Sequence, residues 1–333
     1  MDELRGVRIR NVFKIIETLI HHKTCTKDEL KSNTGLSLST IDSLLKELMK
    51  ANIVIKAGYR ESTGGRPSMS YKVDGNYSQT FCVFVYRHNK CITLIGRFYD
   101  LYDEVIEEHQ EVISKPLVES LISFIDRWLR DEVHTISIAL PGIVKDSLVR
   151  DTTLSGFDIH DLNKQLKEHF RQRVILENDV NMGVIGEYIK NIQCDSIVLL
   201  FQPQQNIPSG IGIVINGKLI EGKSHIAGET RFMPLIEHDD LKTMKKTIKG
   251  RSRLLLIELQ NIIAMLNPEA IVICASGVDD LYIDEELKKI FNMNDLPKLF
   301  YVDDFIDEVL LGLQSRCKEG LIDNFVVRGN TVN

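Results

Sequence analysis

The residues best suited to chemistry in this sequence are polar ones that directly follow a short apolar stretch. Residues 174–176 read as a buried strand, and Glu177, Asn178, Asp179 and Asn181 come after it. In an open α/β sheet, the loop after the carboxyl end of a strand faces the ligand crevice. An amide that donates and accepts, beside a carboxylate that accepts, can bond two adjacent hydroxyls. The pair Asn178-Asp179 therefore predicts a site for a small polyol such as a sugar.

The same residues also suit a purely structural role. A helical pattern follows them, and Asn and Asp are among the preferred residues for capping the start of a helix. Short motifs of this kind recur by chance in many proteins. This segment alone leaves a ligand site and a helix cap as open alternatives, and the choice depends on the elements around it.

The elements that must position these residues follow an α/β pattern from residue 79 onward. A polar turn at residues 87–90 separates two apolar stretches, which predicts a hairpin. The first half continues with a strand near residues 103–112, a helix over 117–129, a buried strand over 135–139 that ends in Leu140-Pro-Gly142, and a helix over 162–170.

A similar order returns after residue 188. Asn216-Gly217 is a strong signal for a two-residue hairpin, and Asn267-Pro268 ends a long helix that begins at residue 240 or later. Strands are predicted over 196–201 and 270–274, and helices near 284–291 and 304–317. Two similar halves predict a duplicated α/β body with a cleft between its lobes.

The first 73 residues show a different pattern, which is typical of a winged helix-turn-helix. Residues 7–22 predict an amphipathic helix, Thr26 and Glu29 form a capping box for a second helix, and Gly35 ends that helix. A third helix then runs to about Lys50. It is predicted to bury Ile41, Leu44, Leu45 and Leu48. Two β-like stretches follow, so this segment predicts a DNA-binding head with a hairpin wing.

Several residues of this head are candidates for DNA contact. Small hydroxyl residues near the start of the third helix allow close approach to base edges or phosphates, and Lys46 lies further along the same helix. Gly65-Arg66-Pro67 presents a guanidinium on an extended backbone that fits a narrow A·T-rich minor groove, although a flexible linker would show the same composition. The predicted DNA-binding residues are Ser37, Ser39, Thr40, Ser43, Lys46, Arg60 and Arg66.

The charge distribution supports this assignment. The 333 residues have a formal net charge of −6, but residues 1–72 carry 13 Lys and Arg against 8 Asp and Glu. A basic head on an acidic body indicates that the head alone meets a polyanion, although uneven solvated helix faces would give the same count. The six cysteines include no C-x-x-C pair, which argues against a disulfide framework. Neither a signal peptide nor a membrane-spanning stretch is predicted, so we expect a cytoplasmic protein.

Several short motifs follow one another along most of the chain. They are Leu140-Pro-Gly142, Glu177-Asn-Asp179 with Asn181 and Gly186-Glu187, Gly210-Ile-Gly212, Asn216-Gly217-Lys218, Gly222, Ala227-Gly-Glu229 and Leu266-Asn-Pro268. In this order and spacing the chain resembles the ROK family, which comprises repressors, open reading frames and sugar kinases of the actin/hexokinase-like fold. The head, with Thr63-Gly-Gly-Arg-Pro67, resembles the DNA-binding end of the repressor branch.

This resemblance implies roles for particular residues. In the family, the Asn-Asp pair and the Glu of the Ala-Gly-Glu motif hold sugar hydroxyls, and the Gly after Pro lines the same pocket. These positions correspond to Asn178, Asp179, Glu229 and Gly142. The Asp is also the general base of the kinase members.

The sequence departs from the kinase pattern where nucleotide phosphates would be held. Kinase members begin the body with an Asp-x-Gly-Gly-Thr loop, whereas this chain has Val85-Tyr-Arg-His-Asn89, with neither that Asp nor a Gly. The second glycine-rich loop starts with Pro208, which lacks an N–H, and Ala275-Ser276 replaces a glycine pair. Phosphoryl transfer depends on positioning the phosphates, so we expect no kinase activity and no cofactor.

The zinc motif of the family is also incomplete. Phe232 stands where a His is expected after Ala-Gly-Glu, and no Cys lies between residues 195 and 273. His238 alone cannot replace a set of thiolate ligands, so we predict no metal site. The missing His is also a sugar contact in the family. His225 could substitute for it, although the sequence favours the interpretation that His225 lies on a surface loop.

Together these patterns predict a winged helix-turn-helix over residues 1–73 and a degenerate ROK sugar-sensing body over 79–333. We expect a repressor of carbohydrate metabolism whose operator affinity changes when a sugar or sugar phosphate binds. A homodimer or homotetramer would read an inverted repeat with A·T-rich flanks. The alternatives are a sugar kinase with an appended DNA-binding head, and a DNA-binding protein whose pocket no longer binds a ligand.

Overall fold

The computed structural model describes residues 2–60, 67–88, 91–113, 118–152, 154, 162–191, 193–204, 207–233 and 242–318. Within these ranges the chain forms a three-helix head followed by two α/β lobes. None of the helices in these ranges is both long enough and apolar enough to span a lipid bilayer.

The head contains three helices and a small antiparallel sheet. Its elements are α1 (Asp2–His22), β1 (Cys25–Thr26), α2 (Lys27–Thr34), α3 (Leu38–Lys50), β2 (Val54–Arg60) and β3 (Ser68–Val73). The strands lie in the order β1-β3-β2. The wing predicted between the two longer strands includes residues 61–66, which lie outside the described residues.

Local capping sets the ends of the head helices as the sequence predicts. Thr26 and Glu29 form the capping box: Thr26 Oγ1 accepts from Glu29 N at 3.3 Å, and Thr26 N donates to Glu29 Oε2 at 2.7 Å. Gly35 ends α2 with φ 70°, a left-handed conformation that glycine adopts without steric cost. The predicted apolar face of α3 is confirmed, since Ile41, Leu44, Leu45 and Leu48 are at most 5% exposed.

The first lobe contains a five-stranded sheet. Its elements are β4 (Gln79–His88), β5 (Cys91–Tyr99), β6 (Val105–Ile113), α4 (Val118–Trp128), β7 (Val133–Leu140), β8 (Ile143–Lys145), β9 (Leu148–Asp151), α5 (Leu162–His169), β10 (Arg173–Asn178) and α6 (Asp179–Lys190). The strands lie in the order β10-β7-β4-β5-β6. The short β8–β9 hairpin does not appear in the prediction. The strand predicted to stop at Leu176 continues to Asn178, so it leads directly into the next helix.

The second lobe repeats this arrangement with its own five-stranded sheet. Its elements are β11 (Ser196–Gln202), β12 (Gly210–Ile215), β13 (Lys218–Leu219), α7 (Ile248–Leu266), β14 (Ala270–Ala275), α8 (Asp280–Ile290), β15 (Lys298–Val302) and α9 (Ile306–Lys318). The strands lie in the order β15-β14-β11-β12-β13. In each sheet three parallel strands join an antiparallel extension. The predicted duplication is therefore confirmed.

Two helices, α6 and α9, fill the space between the sheets. They share one apolar core with residues from both lobes, including Phe84 of β4 and Leu199 of β11. A Cβ on Gly186 of α6 would lie 2.0 Å from the carbonyl oxygen of Glu308, and a Cβ on Gly312 of α9 would lie 2.1 Å from that of Met182. Glycine at these two positions therefore lets the helices cross in backbone contact.

The head is joined to the first lobe by more than the connecting chain. Leu101, in the turn between β5 and β6, is 2% exposed and belongs to the apolar core of the head. Its N–H donates to the carbonyl of Gly75 at 3.1 Å. The Tyr102 hydroxyl donates to the carbonyl of Val73 at 2.9 Å. A turn of the body thus completes the core of the head.

Candidate functional site

Asn178 connects two loops at the carboxyl end of the first sheet. Its Nδ2 donates to the carbonyl of Gly142 at 2.6 Å, and its Oδ1 accepts from Asn181 N at 2.8 Å. The second bond makes Asn178 the N-cap of α6, so the capping alternative is confirmed. The first bond holds the Gly142 loop beside that cap. Because one Nδ2 hydrogen and further lone pairs remain, capping leaves the amide able to bind a ligand.

Gly142 occupies a position that only glycine fits. Its φ is 140°, and an added Cβ would lie 2.0 Å from the carbonyl oxygen of Asp151. The neighbouring Thr152 hydroxyl donates to the carbonyl of Pro141 at 2.5 Å. The β8–β9 hairpin therefore packs tightly against the Pro141-Gly142 turn and fixes its backbone.

Asp179 is the first residue of α6 and is 4% exposed. Its Oδ1 accepts from Val180 N at 2.9 Å. Burial, together with the nearby carboxylate of Glu229, raises the pKa of Asp179 to about 7. Near neutral pH this carboxyl therefore exists in both forms, which lets it donate to a hydroxyl as well as accept from one.

Glu229 reaches the same cleft from the second lobe. The Ala227-Gly-Glu229 segment pairs with the start of β12, since Gly210 and Glu229 form a β-bridge and Ile211 N donates to the Gly228 carbonyl at 3.0 Å. Burial raises the pKa of Glu229, whereas the charge of Arg231 lowers this pKa. Asp179 and Glu229 thus face one site from two lobes.

Two charged residues of this site were missed by the sequence analysis. Arg231 of the second lobe forms an ion pair with Asp151 of the first lobe, and its Nε lies 3.5 Å from Glu229 Oε2. The stretch Val144-Lys-Asp-Ser-Leu148 could have indicated the β8–β9 hairpin that carries Asp151. The pairing across the cleft depends on tertiary structure.

These residues surround a cavity of about 720 Å³ between the lobes. This volume is within the range of small-molecule sites, which is roughly 300–1,000 Å³. All four residues predicted to bind sugar line the cavity, namely Gly142, Asn178, Asp179 and Glu229. Aromatic and further polar side chains complete the wall, among them Phe84, Tyr86, Thr93, Asp151, Phe201 and Arg231.

The loop after β11, which leads to Pro208, contacts a buried lysine. The Lys245 ammonium, at a residue that is 4% exposed, donates to the carbonyls of Pro203, at 3.3 Å, and Ile207. Burial lowers the pKa of Lys245 to about 8. Loops that bind phosphate direct backbone N–H groups at the anion, whereas here two carbonyl oxygens face a cation.

His225 lies at the cavity rather than on an open loop surface. It lines the cavity, its Nδ1 lies 3.1 Å from Glu221 Oε1, and its side chain is 21% exposed. Phe232, at the position of the expected His, is 59% exposed. His238 lies outside the described residues. This geometry favours His225 as a residue that a ligand would meet.

The candidate DNA-binding residues of α3 lie at its exposed start. The Ser37 hydroxyl caps the helix by accepting from Thr40 N at 3.2 Å, and it lies 2.9 Å from the Ser39 hydroxyl. Ser43 and Lys46 are exposed further along the same helix. The hydroxyl-rich surface predicted from the sequence is thus brought together at one end of α3.

One of the two arginines predicted to contact DNA, Arg60, is bonded within the head. Arg60, at the end of β2, has its Nη1 2.9 Å from Glu29 Oε1, and its Nη2 donates to the carbonyl of Thr24 at 3.2 Å. These bonds attach the root of the wing to the start of α2. Arg66 lies outside the described residues.

The chain matches known proteins over most of its length. Residues 87–241 match the model of the ROK family. A xylose repressor of Bacillus subtilis (strain 168) is 28% identical over 232 residues, which cover 66% of this chain and 59% of the repressor. The chain therefore spans less than two thirds of that relative.

Solved structures share the fold. The structure of a ROK family transcriptional regulator described as a homolog of E. coli MLC protein has a TM-score of 0.66 at 16% identity and covers 97% of this chain and 98% of that one. A ROK hexokinase from Thermus thermophilus has a TM-score of 0.55 at 14% identity, covering 73% of this chain and all of that one. The body thus has the actin/hexokinase-like ROK fold.

Proposed function

We propose that this chain, which contains a ROK family domain, is a DNA-binding transcriptional repressor whose operator affinity is controlled by a sugar. Residues 1–73 would form a winged helix-turn-helix, and residues 79–333 would form the sensing body. The proposal gives Asn178, Asp179, Glu229 and Gly142 the role of sugar contacts. Because the operator is chromosomal DNA, it also implies a cytoplasmic protein.

One observation carries this proposal. Asp179 and Glu229 line one cavity from opposite lobes, beside the bonded pair Asn178 and Gly142. Carboxyl and amide groups spaced around a cavity suit a ligand with several hydroxyls. A ligand that contacts both lobes stabilises one interlobe arrangement over another, and such a difference is what control of a distant site requires.

The exposed start of α3 supports the DNA-binding half of the proposal. Ser37, Ser39 and Thr40 form a small polar surface that fits close to a major groove. A single head contacts few base pairs, so we propose a homodimer or homotetramer that presents two heads to an inverted repeat. Arg66 would enter the A·T-rich minor groove beside it.

The test combines sugar binding with DNA binding. Calorimetric titration with D-xylose, other aldoses and sugar phosphates would identify the effector, because the relative from Bacillus subtilis is named a xylose repressor. A DNA pool with random sequence would yield the operator, and gel-shift titrations would then measure its affinity with and without the effector. We expect a sugar-dependent change; a chain that binds DNA identically at saturating sugar contradicts the proposal.

A sugar kinase is the alternative, and one observation favours it. A carboxyl whose pKa is about 7, as that of Asp179 is, could take a proton from a sugar hydroxyl. Against this stand the carbonyls of Pro203 and Ile207, which face the Lys245 ammonium. Steady release of ADP that depends on both ATP and sugar would establish the kinase.

A further inference from the structure

The turn between β5 and β6, residues 100–104, belongs to the body, is held together by its own hydrogen bonds and reaches into the head. Asp100 Oδ1 accepts from Tyr102 N at 2.7 Å and from Glu104 N at 2.9 Å, and Asp103 has φ 68°. Leu101 lies in the core of the head, and the Tyr102 hydroxyl bonds to β3. The position of this turn therefore determines how the head is placed relative to the first lobe.

The last turns of α9 hold this turn in place. Gln314 is 1% exposed, and its Nε2 donates to Asp103 Oδ1 at 3.2 Å and to the Asp100 carbonyl at 3.4 Å. Its Oε1 accepts from the Thr80 hydroxyl. Lys318, one helical turn later on the same face, forms an ion pair with Asp103 Oδ2. A buried amide with every bond directed at named partners is costly to displace.

The other contacts of α9 lead to the cleft. Arg316 Nε donates to Glu177 Oε1 at 3.1 Å, and Glu177 directly precedes Asn178. The helix also crosses α6 in backbone contact at Gly312 and Gly186. Since α6 begins at Asp179, a molecule held between Asp179 and Glu229 acts on a helix that packs directly against α9.

We propose that Gln314 and Lys318 are positioning residues of the sugar response. They couple the position of the turn 100–104, which contacts the head, to the position of α9. This inference rests on the proposed function, because it explains how an occupied cleft is sensed by the head. Packed helices shift by small sliding steps between discrete arrangements, so movement of α6 against α9 changes the bonds at Asp103. The head then moves with the turn that contains Leu101.

The first test needs no ligand. Hydrogen exchange of the full chain is compared with that of Lys318→Ala and Gln314→Leu, while Lys289→Ala, which removes an exposed ion pair on α8, is the matched control. We expect exchange of the Leu101 amide to be about fivefold faster in the first two variants, which corresponds to roughly one hydrogen bond. Lys318→Arg retains the positive charge, so exchange of the Leu101 amide should stay as slow as in the unaltered chain. Unchanged exchange in both variants overturns the proposal.

The second test measures the response itself, with D-xylose as the probe and the operator recovered from random DNA. Lys318→Ala should bind xylose within about twofold of the unaltered chain, yet its operator affinity should change at least about threefold less on addition of xylose. If xylose affinity falls in parallel with the response, or if the response is unchanged, the two residues have only a structural role and the proposal is wrong.

The two failures can be told apart. If the unaltered chain binds no sugar, or binds sugar without any change in operator affinity, the proposed function fails and this inference fails with it. If the unaltered chain responds fully and Lys318→Ala and Gln314→Leu respond equally, only the inference fails.

Discussion

Arg231 and Asp151 form an ion pair that joins the two lobes across the cleft. The same guanidinium lies 3.5 Å from Glu229, so one cation faces two carboxylates beside the cavity. Asp179 adds a third carboxyl, which is buried. The cleft therefore has more acidic than basic groups among these residues, an arrangement that favours neutral hydroxyl donors over a phosphate.

Arg231→Met should weaken sugar binding more strongly at about pH 8 than at about pH 6. Removing the cation raises the pKa of Glu229, because the charge of Arg231 lowers this pKa in the intact chain. At the higher pH the carboxylates are ionised without a countercharge and repel one another, so we expect a loss of about tenfold there. Calorimetric titration at both pH values measures this, and an equal loss at the two pH values would count against the electrostatic explanation.

Asp179→Ala should abolish the sugar response while operator binding is kept. The side chain lines the cavity, and the hydrogen bond that it makes in the described part of the chain is to Val180 N of its own helix. We expect sugar affinity to fall by at least about tenfold, the loss of one or two bonds to a ligand. Asp179→Asn, which still accepts from Val180 N, is the control for the start of α6. A normal response of the Ala variant would remove Asp179 from the site.

Buried carboxyls predict a pH dependence of stability. The pKa of Asp179 and that of Glu258 are each raised to about 7 by burial, above the value of about 4 expected in the unfolded chain. Between these values the folded chain keeps protons that the unfolded chain releases, so the free energy of unfolding falls as the pH rises towards 7. Urea denaturation at about pH 5 and about pH 7.5 should show this decrease, and Asp179→Asn or Glu258→Gln should each reduce it.

Gly142→Ala should disturb the cleft through the backbone. An added Cβ would lie 2.0 Å from the Asp151 carbonyl, at a φ of 140°. We expect a cost of about 1–3 kcal/mol in the free energy of unfolding and a clear loss of sugar affinity. Gly35→Ala is the matched control: its φ is 70°, but nothing lies within 4 Å of the added atom. Equal effects of the two substitutions on sugar affinity would contradict the role of the Gly142 loop.

Substitutions in the head should separate phosphate contacts from groove contacts. Lys46→Ala should weaken operator binding at all sequences and lower the slope of affinity against salt by about one. Arg66→Ala should reduce the preference for A·T pairs beside the half-sites. Gel-shift titrations at several salt concentrations measure both effects, with Lys289→Ala as a control. An operator affinity unchanged by Arg66→Ala at every salt concentration would exclude its proposed role.

Most of the key residues of the cleft could be predicted from the sequence because they follow the ends of strands. Asn178 ends β10 and Gly142 follows the end of β7. These two strands are parallel neighbours, so both residues lie at one edge of the sheet. Glu229 was assigned from the resemblance, since its pairing with Gly210 joins segments that no local pattern connects. The capping alternative for Asn178 proved compatible with a binding role, because one amide makes both bonds.

The contacts between distant elements could not be predicted. Asp151 and Arg231 are separated by 80 residues, and each reads as an ordinary surface charge in the sequence. In the sequence Leu101 lies between two predicted strands of the body, yet it is buried in the core of the head. Such contacts depend on how complete elements pack, whereas periodicity and capping report only on neighbours along the chain.

The buried Lys245 restricts how this body could acquire a phosphate-binding loop. Because the Pro203 and Ile207 carbonyls accept from Lys245, new glycines after β4 alone would not create a triphosphate site. Substitution of Lys245 first would leave those carbonyl oxygens without their donor. A change in the loop first would leave the buried ammonium without its acceptors. Either change made alone should therefore lower the stability of the fold before any phosphate-binding group is added.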